Sequence, residues 1–305
     1  MISFGGAKHD VWLSAFLTTI LGLAGGYLII TLGLRYPSQT IIQYSQYILG
    51  KWLGKFVGLI YIIFFLLVAS MATRDHAELY LIFLPETPLV VLIILSLFIA
   101  AYASVQGLEV IARLAEVLVP VIYFAIIIGI LLNTPNMDFS QLEIVLEDGW
   151  RPAMRDAITQ LPFLGLAVSW LFFLSSLNIK TQARKTLMLS IAILGLVIFL
   201  VSIAIVAVIG ADAPVVSNYQ FLKAFRQINI GNFIERIELL FLLSWSGTSF
   251  LMIILFYYIS LASLKQWLGL KKQRPLVLPL GIIIFILCIF SFSSYMVLMQ
   301  FFSLY

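Results

Sequence analysis

Eight apolar stretches, each long enough to carry an α-helix across a bilayer, follow one another along this chain and leave little sequence for anything else. A helix rises 1.5 Å per residue, so about 20 apolar residues cross a hydrocarbon layer. The stretches run from Val11 to Leu34, Trp52 to Ala72, Pro88 to Gln106, Val110 to Leu132, Ile158 to Leu177, Thr186 to Gly210, Ile234 to Leu264 and Leu276 to Phe302. Helix breakers separate them, among them Tyr36-Pro37-Ser38, Leu84-Pro85-Glu86-Thr87-Pro88, Thr134-Pro135-Asn136 and Ala213-Pro214. Lipid offers no partner to an open backbone group, so such a chain has to satisfy its amides within helices. The expectation is an all-α integral membrane protein, a polytopic bundle of about eight transmembrane helices forming one domain over residues 11–305. Composition agrees: 10% of residues are charged, against about 25% in a soluble domain. With 62% hydrophobic residues and a mean hydropathy of +1.10, the solvent for most of the surface has to be membrane lipid.

The formal charge of +4 is concentrated in particular loops, so it speaks of orientation and not of a nucleic-acid partner. If the first helix enters from outside, the inner loops collect Arg35, Lys51, Lys55, Arg113, Lys180, Arg184, Lys185, Lys265, Lys271, Lys272 and Arg274. The outer loop before the fifth stretch holds Asp138, Glu143, Glu147, Asp148 and Asp156. Both termini are therefore expected outside. A lone cysteine, Cys288, excludes an internal disulfide and a cysteine-cluster metal site. Met1 to Asp10 is too short and polar for a cleaved signal peptide. Segments Ser38 to Lys51, Asn133 to Ala157 and Ala211 to Asn232 each have room for an interfacial helix.

Several local strings occur in a telling order. Leu49-Gly50-Lys51-Trp52-Leu53-Gly54 opens the second stretch, and Ala72-Thr73-Arg74 with Leu84-Pro85-Glu86-Thr87-Pro88 closes it. Then come Gly107 to Glu116 (GLEVIARLAE), Phe163-Leu164-Gly165, Phe233 to Glu238 (FIERIE) with Trp245, and Arg274-Pro275-Leu276-Val277-Leu278-Pro279-Leu280. In this order the chain resembles the B subunit of nutrient germinant receptors of endospore-forming bacteria, within the amino acid, polyamine and organocation permease superfamily. The resemblance implies a fold of two inverted five-helix repeats whose first and sixth helices break at a ligand site. Aligned so, the chain starts at the second helix of that fold and stops after the ninth. The resemblance further implies a small nutrient ligand such as an amino acid, partner A and C subunits, and residence in the spore inner membrane.

Pro162-Phe163-Leu164-Gly165 interrupts an otherwise apolar span: Pro162 has no amide hydrogen and Gly165 eases bending, which frees backbone polar groups for a ligand or simply kinks the helix for packing. The resemblance favours a ligand site at Phe163, Leu164 and Gly165. Ala167 stands where many relatives carry a glutamate, so carboxylate-linked ion coupling there has no support. Phe64 and Val68 on the second span, and Met252 and Phe256 on the seventh, sit one helical turn apart and either line the same apolar site or pack helices. Glu109, Arg113 and Glu116 share a helix face with Arg113 able to pair with either carboxylate, which reads as structural ion pairing; Glu235, Arg236 and Glu238 read alike. Arg74, Asp75, His76 and Glu78 are expected as a solvated outer cluster. Gly22, Gly25 and Gly26, and Gly50, Gly54 and Gly58, have spacings that allow close helix approach.

His9 and His76 lie far apart, and the chain carries no HExxH, GxSxG or phosphate-cradling glycine loop, so neither an enzyme nor a cofactor is expected. Two alternatives to the receptor subunit stand beside it: a secondary amino-acid transporter of the same superfamily, and a truncated scaffold subunit that binds nothing.

Overall fold

The computed structural model describes residues 8–143, 145–177, 182–210, 220–226 and 238–290. Ten α-helices occur among them: α1 (Val11–Gly33), α2 (Ile41–Phe83), α3 (Leu89–Gln106), α4 (Leu108–Asn133), α5 (Trp150–Leu164), α6 (Trp170–Phe173), α7 (Ala183–Ile209), α8 (Gln220–Arg226), α9 (Glu238–Leu268) and α10 (Arg274–Phe290). No strand occurs among the described residues. α1, α2, α3, α4 (extended through Asn136), α7 and α9 are long and apolar enough to cross a membrane. The fifth expected span is not one continuous α-helix. After α5 the backbone tightens to a 3-10 helix over Gly165–Ser169, returns to α for α6, and tightens again over Leu174–Ser176. The last expected span is described for 17 residues as α10. Each of the three segments foreseen as room for an interfacial helix holds helical residues: residues 41–49 form the first arm of α2, α5 starts at Trp150, and α8 lies between residues 211 and 232.

The chain divides into two compact units. Unit 1 comprises Met1–Pro37 and Tyr123–Leu243. Here α1 packs along α7 and α5. The buried stripe of α1 is built of small residues, Ser14, Ala15, Thr18, Gly22, Gly26 and Gly33, which is how helices come close where no hydrophobic effect drives them together. A Cβ on Gly26 would run into Ile191 of α7, and one on Gly195 of α7 would run into the Thr19 side chain. The hydroxyls on this stripe donate to their own helix, Thr18 to Ser14 O at 2.7 Å and Thr19 to Ala15 O at 2.8 Å, so they enter the interface already satisfied.

The loop after α4 is fastened to the same helices. The amide of Asp138 donates to Ala207 O at 2.8 Å, the Asp10 carboxylate takes the Leu146 amide at 3.0 and 3.1 Å, and His9 Nδ1 donates to Gln141 O at 2.9 Å. Leu142 packs on Val11 and Val206. Asp138 accepts from both the amide and the hydroxyl of Ser140, and these bonds hold its carboxyl below the usual carboxylate range.

Unit 2 comprises Ser38–Ile122 and Ser244–Tyr305. Thr40 and Gln43 open α2 with a capping box. At Gly50 the backbone takes φ 79° and ψ 172°, a conformation natural to glycine, and α2 turns sharply there. The short arm, residues 41–49, folds against the start of the long arm, so that a Cβ on Gly54 would collide with the backbone of Ser45 and Gln46. α9 lies along the long arm: Trp267 Nε1 donates to Lys55 O at 2.8 Å, Phe65 meets Phe256 at 6.1 Å between centroids, and Tyr80 bonds Ser246 at 2.7 Å. These pairs run in opposite order along the two helices, which makes the contact antiparallel. α10 packs on α2 and α3 and is tied to α9 by the Tyr257 hydroxyl, which donates to Val277 O at 2.6 Å.

Candidate functional site

The helix break in unit 1 starts from α5. Its buried face presents Ala153, Asp156, Ala157 and Gln160. Thr18 of α1 gives a second, longer bond to the Ala157 carbonyl at 3.4 Å, so α1 and α5 touch backbone to side chain one turn before the break. Gln160 is 4% exposed and its Nε2 has no partner among the described residues. An unmet buried donor costs about 1–3 kcal/mol, and this one stands immediately before Leu161–Gly165. The backbone is α-helical through Leu164 and 3-10 from Gly165, so the change of helix type falls where sequence reasoning placed the break. The side chains of residues 161–165, including Phe163 and Leu164, lie outside the described set. Sequence reasoning missed Gln160, although a lone carboxamide two residues before a proline within an apolar span was a legible signal.

The other four residues proposed for a ligand site lie in unit 2. Val68 and Phe256 are buried, at 6% and 2% exposure, and belong to its core. The α2 ring that meets Phe256 is Phe65, one residue along from Phe64. Phe64 and Met252 are half-buried.

The outer cluster departs from its expectation of a solvated surface. Arg74 Nε bonds Glu78 at 2.6 Å, with side-chain exposures of only 15% and 18%, and Arg74 Nη1 also donates to the Cys288 carbonyl of α10 at 3.1 Å. Trp245 of α9 donates from Nε1 to Asp75 Oδ2 at 2.9 Å. His76 is buried, its ring 5.0 Å from that of Tyr80 and 6.1 Å from that of Phe250. Cys288 itself donates to Ser70 O at 3.2 Å. The reason is length: the long arm of α2 continues beyond the apolar run, and α9 and α10 rise with it, so a polar stretch that reads as a loop is enclosed by two neighbours.

The charged face of α4 behaves in the opposite way. Arg113 pairs with Glu109 at 2.7 Å, but both side chains are about three-quarters exposed, at 76% and 77%. Glu116 takes no part in that pair. Among the described residues the pair therefore anchors no other helix. Glu235 and Arg236 lie outside the described residues, and Glu238 meets Arg226 at 3.7 Å. No group of three or more His, Cys, Asp or Glu side chains suited to a metal ion occurs among the described residues.

Comparison with known proteins bears on what these parts do. Residues 2–296 match a protein family described as "Spore germination protein". The chain is 28% identical over 289 residues to spore germination protein KB of Bacillus subtilis, covering 93% of this chain and 77% of that one. It is 27% identical over 278 residues to spore germination protein YndE of the same organism, covering 90% and 75%. Spore germination protein A2, also of Bacillus subtilis, is 27% identical over 279 residues, covering 90% and 76%.

Proposed function

Because the chain belongs to the spore germination protein family and is a multi-pass membrane protein, we propose that it is the permease-like B subunit of a nutrient germinant receptor. In this reading it sits in the spore inner membrane, recognises a small nutrient such as an amino acid, and passes the signal to A and C subunits. The observation that carries the reading is the family match over nearly the whole chain. The helix break supports it. A zwitterionic ligand needs backbone polar groups for its charged ends, and a change from α to 3-10 geometry at Gly165 releases carbonyls and amides from the regular ladder.

The proposed contacts are Phe163, Leu164 and Gly165, to which Gln160 adds a donor suited to a carboxylate. For unit 2 the proposed contacts are Phe64, Val68, Met252 and Phe256, of which Val68 and Phe256 are buried and Phe64 and Met252 half-buried.

Spores that carry this chain with its candidate partner subunits, and no other receptor, test the proposal. They are offered single amino acids and sugars, and release of dipicolinic acid is followed. Germination on a small amino acid that is lost when the gene is deleted is the expected result. Uptake of the labelled amino acid by vegetative membranes without any germination phenotype would replace the receptor with a transporter.

A further inference from the structure

The basic residues that orient the chain stand in separate loops of the sequence, yet in unit 2 the fold gathers six of them at one end. Trp267 Nε1, near the end of α9, donates to Lys55 O at 2.8 Å, and Thr40 Oγ1 donates to Gln266 Oε1 at 2.5 Å, so the start of α2 and the end of α9 meet. Gln273 Nε2 donates to Ser104 O at 3.4 Å, which brings the loop before α10 to the end of α3. These segments carry Lys51, Lys55, Lys265, Lys271, Lys272 and Arg274. Orientation asks only that cations lie on one side of the membrane, not that they converge.

The cluster is held in shape and is not neutralised. Gly269, at φ 69°, closes α9, and the amides of Gly269 and Leu270 return to Gln266 O at 3.2 Å and Lys265 O at 3.0 Å, so Lys271 and Lys272 follow a fixed turn. Lys55 Nζ stands over the Trp267 ring, 5.5 Å from its centroid. Lys51, Lys271, Lys272 and Arg274 are exposed. No Asp or Glu occurs between Ser38 and Arg74 or after Glu238, and among the described residues none of the six cations pairs with a carboxylate. α4, which follows α3 at this end, brings Glu109, closed on Arg113, and leaves one further carboxylate, Glu116, against the six. Beside Lys51 and Lys55 the surface is apolar and open, with Trp52 84%, Leu53 64% and Phe56 61% exposed.

We propose that this end of unit 2 is a binding site for an anionic phospholipid, the lysines holding its phosphate while its acyl chains lie on Trp52, Leu53 and Phe56. Clusters of four to eight Lys and Arg at the end of a membrane helix select acidic headgroups, and an exposed tryptophan beside them suits the level where headgroup meets hydrocarbon. A zwitterionic lipid carries its own cation next to the phosphate and gains less from the cluster, so the site discriminates by net headgroup charge. A soluble acidic partner would meet the cations but leave Trp52 and Phe56 without an apolar counterpart. The site is separate from the helix break in unit 1 and does not depend on the germination reading.

The test uses the full chain in phosphatidylcholine nanodiscs that contain a small, equal fraction of either brominated phosphatidylglycerol or brominated phosphatidylcholine. Bromine quenches nearby indoles, and the difference between each protein and its Trp52→Phe counterpart isolates the signal of Trp52. We expect phosphatidylglycerol to quench Trp52 more strongly than phosphatidylcholine, and rising ionic strength to reduce that preference. In Lys271→Gln/Lys272→Gln the preference should fall about fivefold. In Arg184→Gln/Lys185→Gln, which removes the same charge from unit 1, it should be unchanged. Protection of Cys288 from a thiol reagent checks that each variant is folded; should the lysine variant not fold, the ionic-strength dependence of the wild type decides alone. Equal quenching by the two lipids overturns the proposal and gives the cations to an acidic protein partner. A preference that ignores ionic strength, survives loss of Lys271 and Lys272, or falls as far in the unit 1 variant overturns it too.

Discussion

Substituting Gly54 by alanine sets one methyl group against a backbone that cannot step aside. The turn at Gly50 lays the arm of residues 41–49 onto the helix so closely that the new Cβ would meet Gln46 Cα and N and Ser45 O. No side-chain rotation relieves such a contact, which puts the cost near the top of the ~1–3 kcal/mol range for overpacking. Alanine returns about 0.5–1 kcal/mol through its better helix propensity. The net loss is then about 2 kcal/mol. Peeling the arm away would expose Ile41 and Ile42, both 1% exposed, at about 1.5–3 kcal/mol each. The arm therefore stays docked under strain.

At about 2 °C per kcal/mol for a chain of this size, the thermal midpoint should fall by about 4 °C. The sole cysteine provides the assay, because Cys288 is buried in the same unit and reacts with a thiol-sensitive dye only on unfolding. Gly25→Ala is the control: the same change in a helix, with no atom within 4 Å of the new Cβ. It should leave the midpoint unchanged or raise it. A Gly54→Ala midpoint at or above that of Gly25→Ala would refute the close approach.

Four further outcomes follow from the same structure. Gln160→Leu should raise thermal stability by about 1 kcal/mol, by removing an unmet buried donor, while lowering the nutrient sensitivity of spores; Gly165→Leu should abolish the nutrient response at unchanged abundance in membrane immunoblots. Arg113→Ala should alter the midpoint by less than about 1 kcal/mol, as expected of an exposed pair, so a large loss of folded protein would show that something covers this face. The lowered Asp138 carboxyl stabilises the fold above the ordinary carboxylate range and ceases to do so as pH falls through its folded-state value. The difference in midpoint between wild type and Asp138→Ala should accordingly be present at neutral pH and vanish in acid.

Legibility in the sequence followed the length over which each signal is averaged. Spans such as α1, α3 and α7 are uniform runs of about 20 apolar residues, and their limits came within a few residues of the helices found. The break at Gly165 was readable because Pro162 and Gly165 act locally on the backbone, whatever surrounds them. The sharp turn in α2 was not. Gly50, Gly54 and Gly58 read as a stripe for helix packing, yet Gly50 is the turn, Gly54 is where the arm lands, and only Gly58 faces another helix, at Trp267. Identical residues at identical spacing did three different things because φ at Gly50 depends on the docking of Ile41 and Ile42, which a window of neighbours does not contain.

Charge was read least well, and for one reason in both places. Arg74, Asp75, His76 and Glu78 look like a surface because they are polar, and GLEVIARLAE reads as a structural ion-paired face because its charges are spaced to neutralise themselves. Burial of a charge is decided by what the neighbouring helices present to it, and here the partners come from far along the chain: Trp245 for Asp75, and the Cys288 carbonyl for Arg74. The Glu109–Arg113 pair needs no such partner and finds none, so it stays exposed. Trp245 is the residue that links the two levels. In the sequence it marks the seventh span, and in the fold its single N–H is directed at the carboxylate that an unaided α2 could not bury.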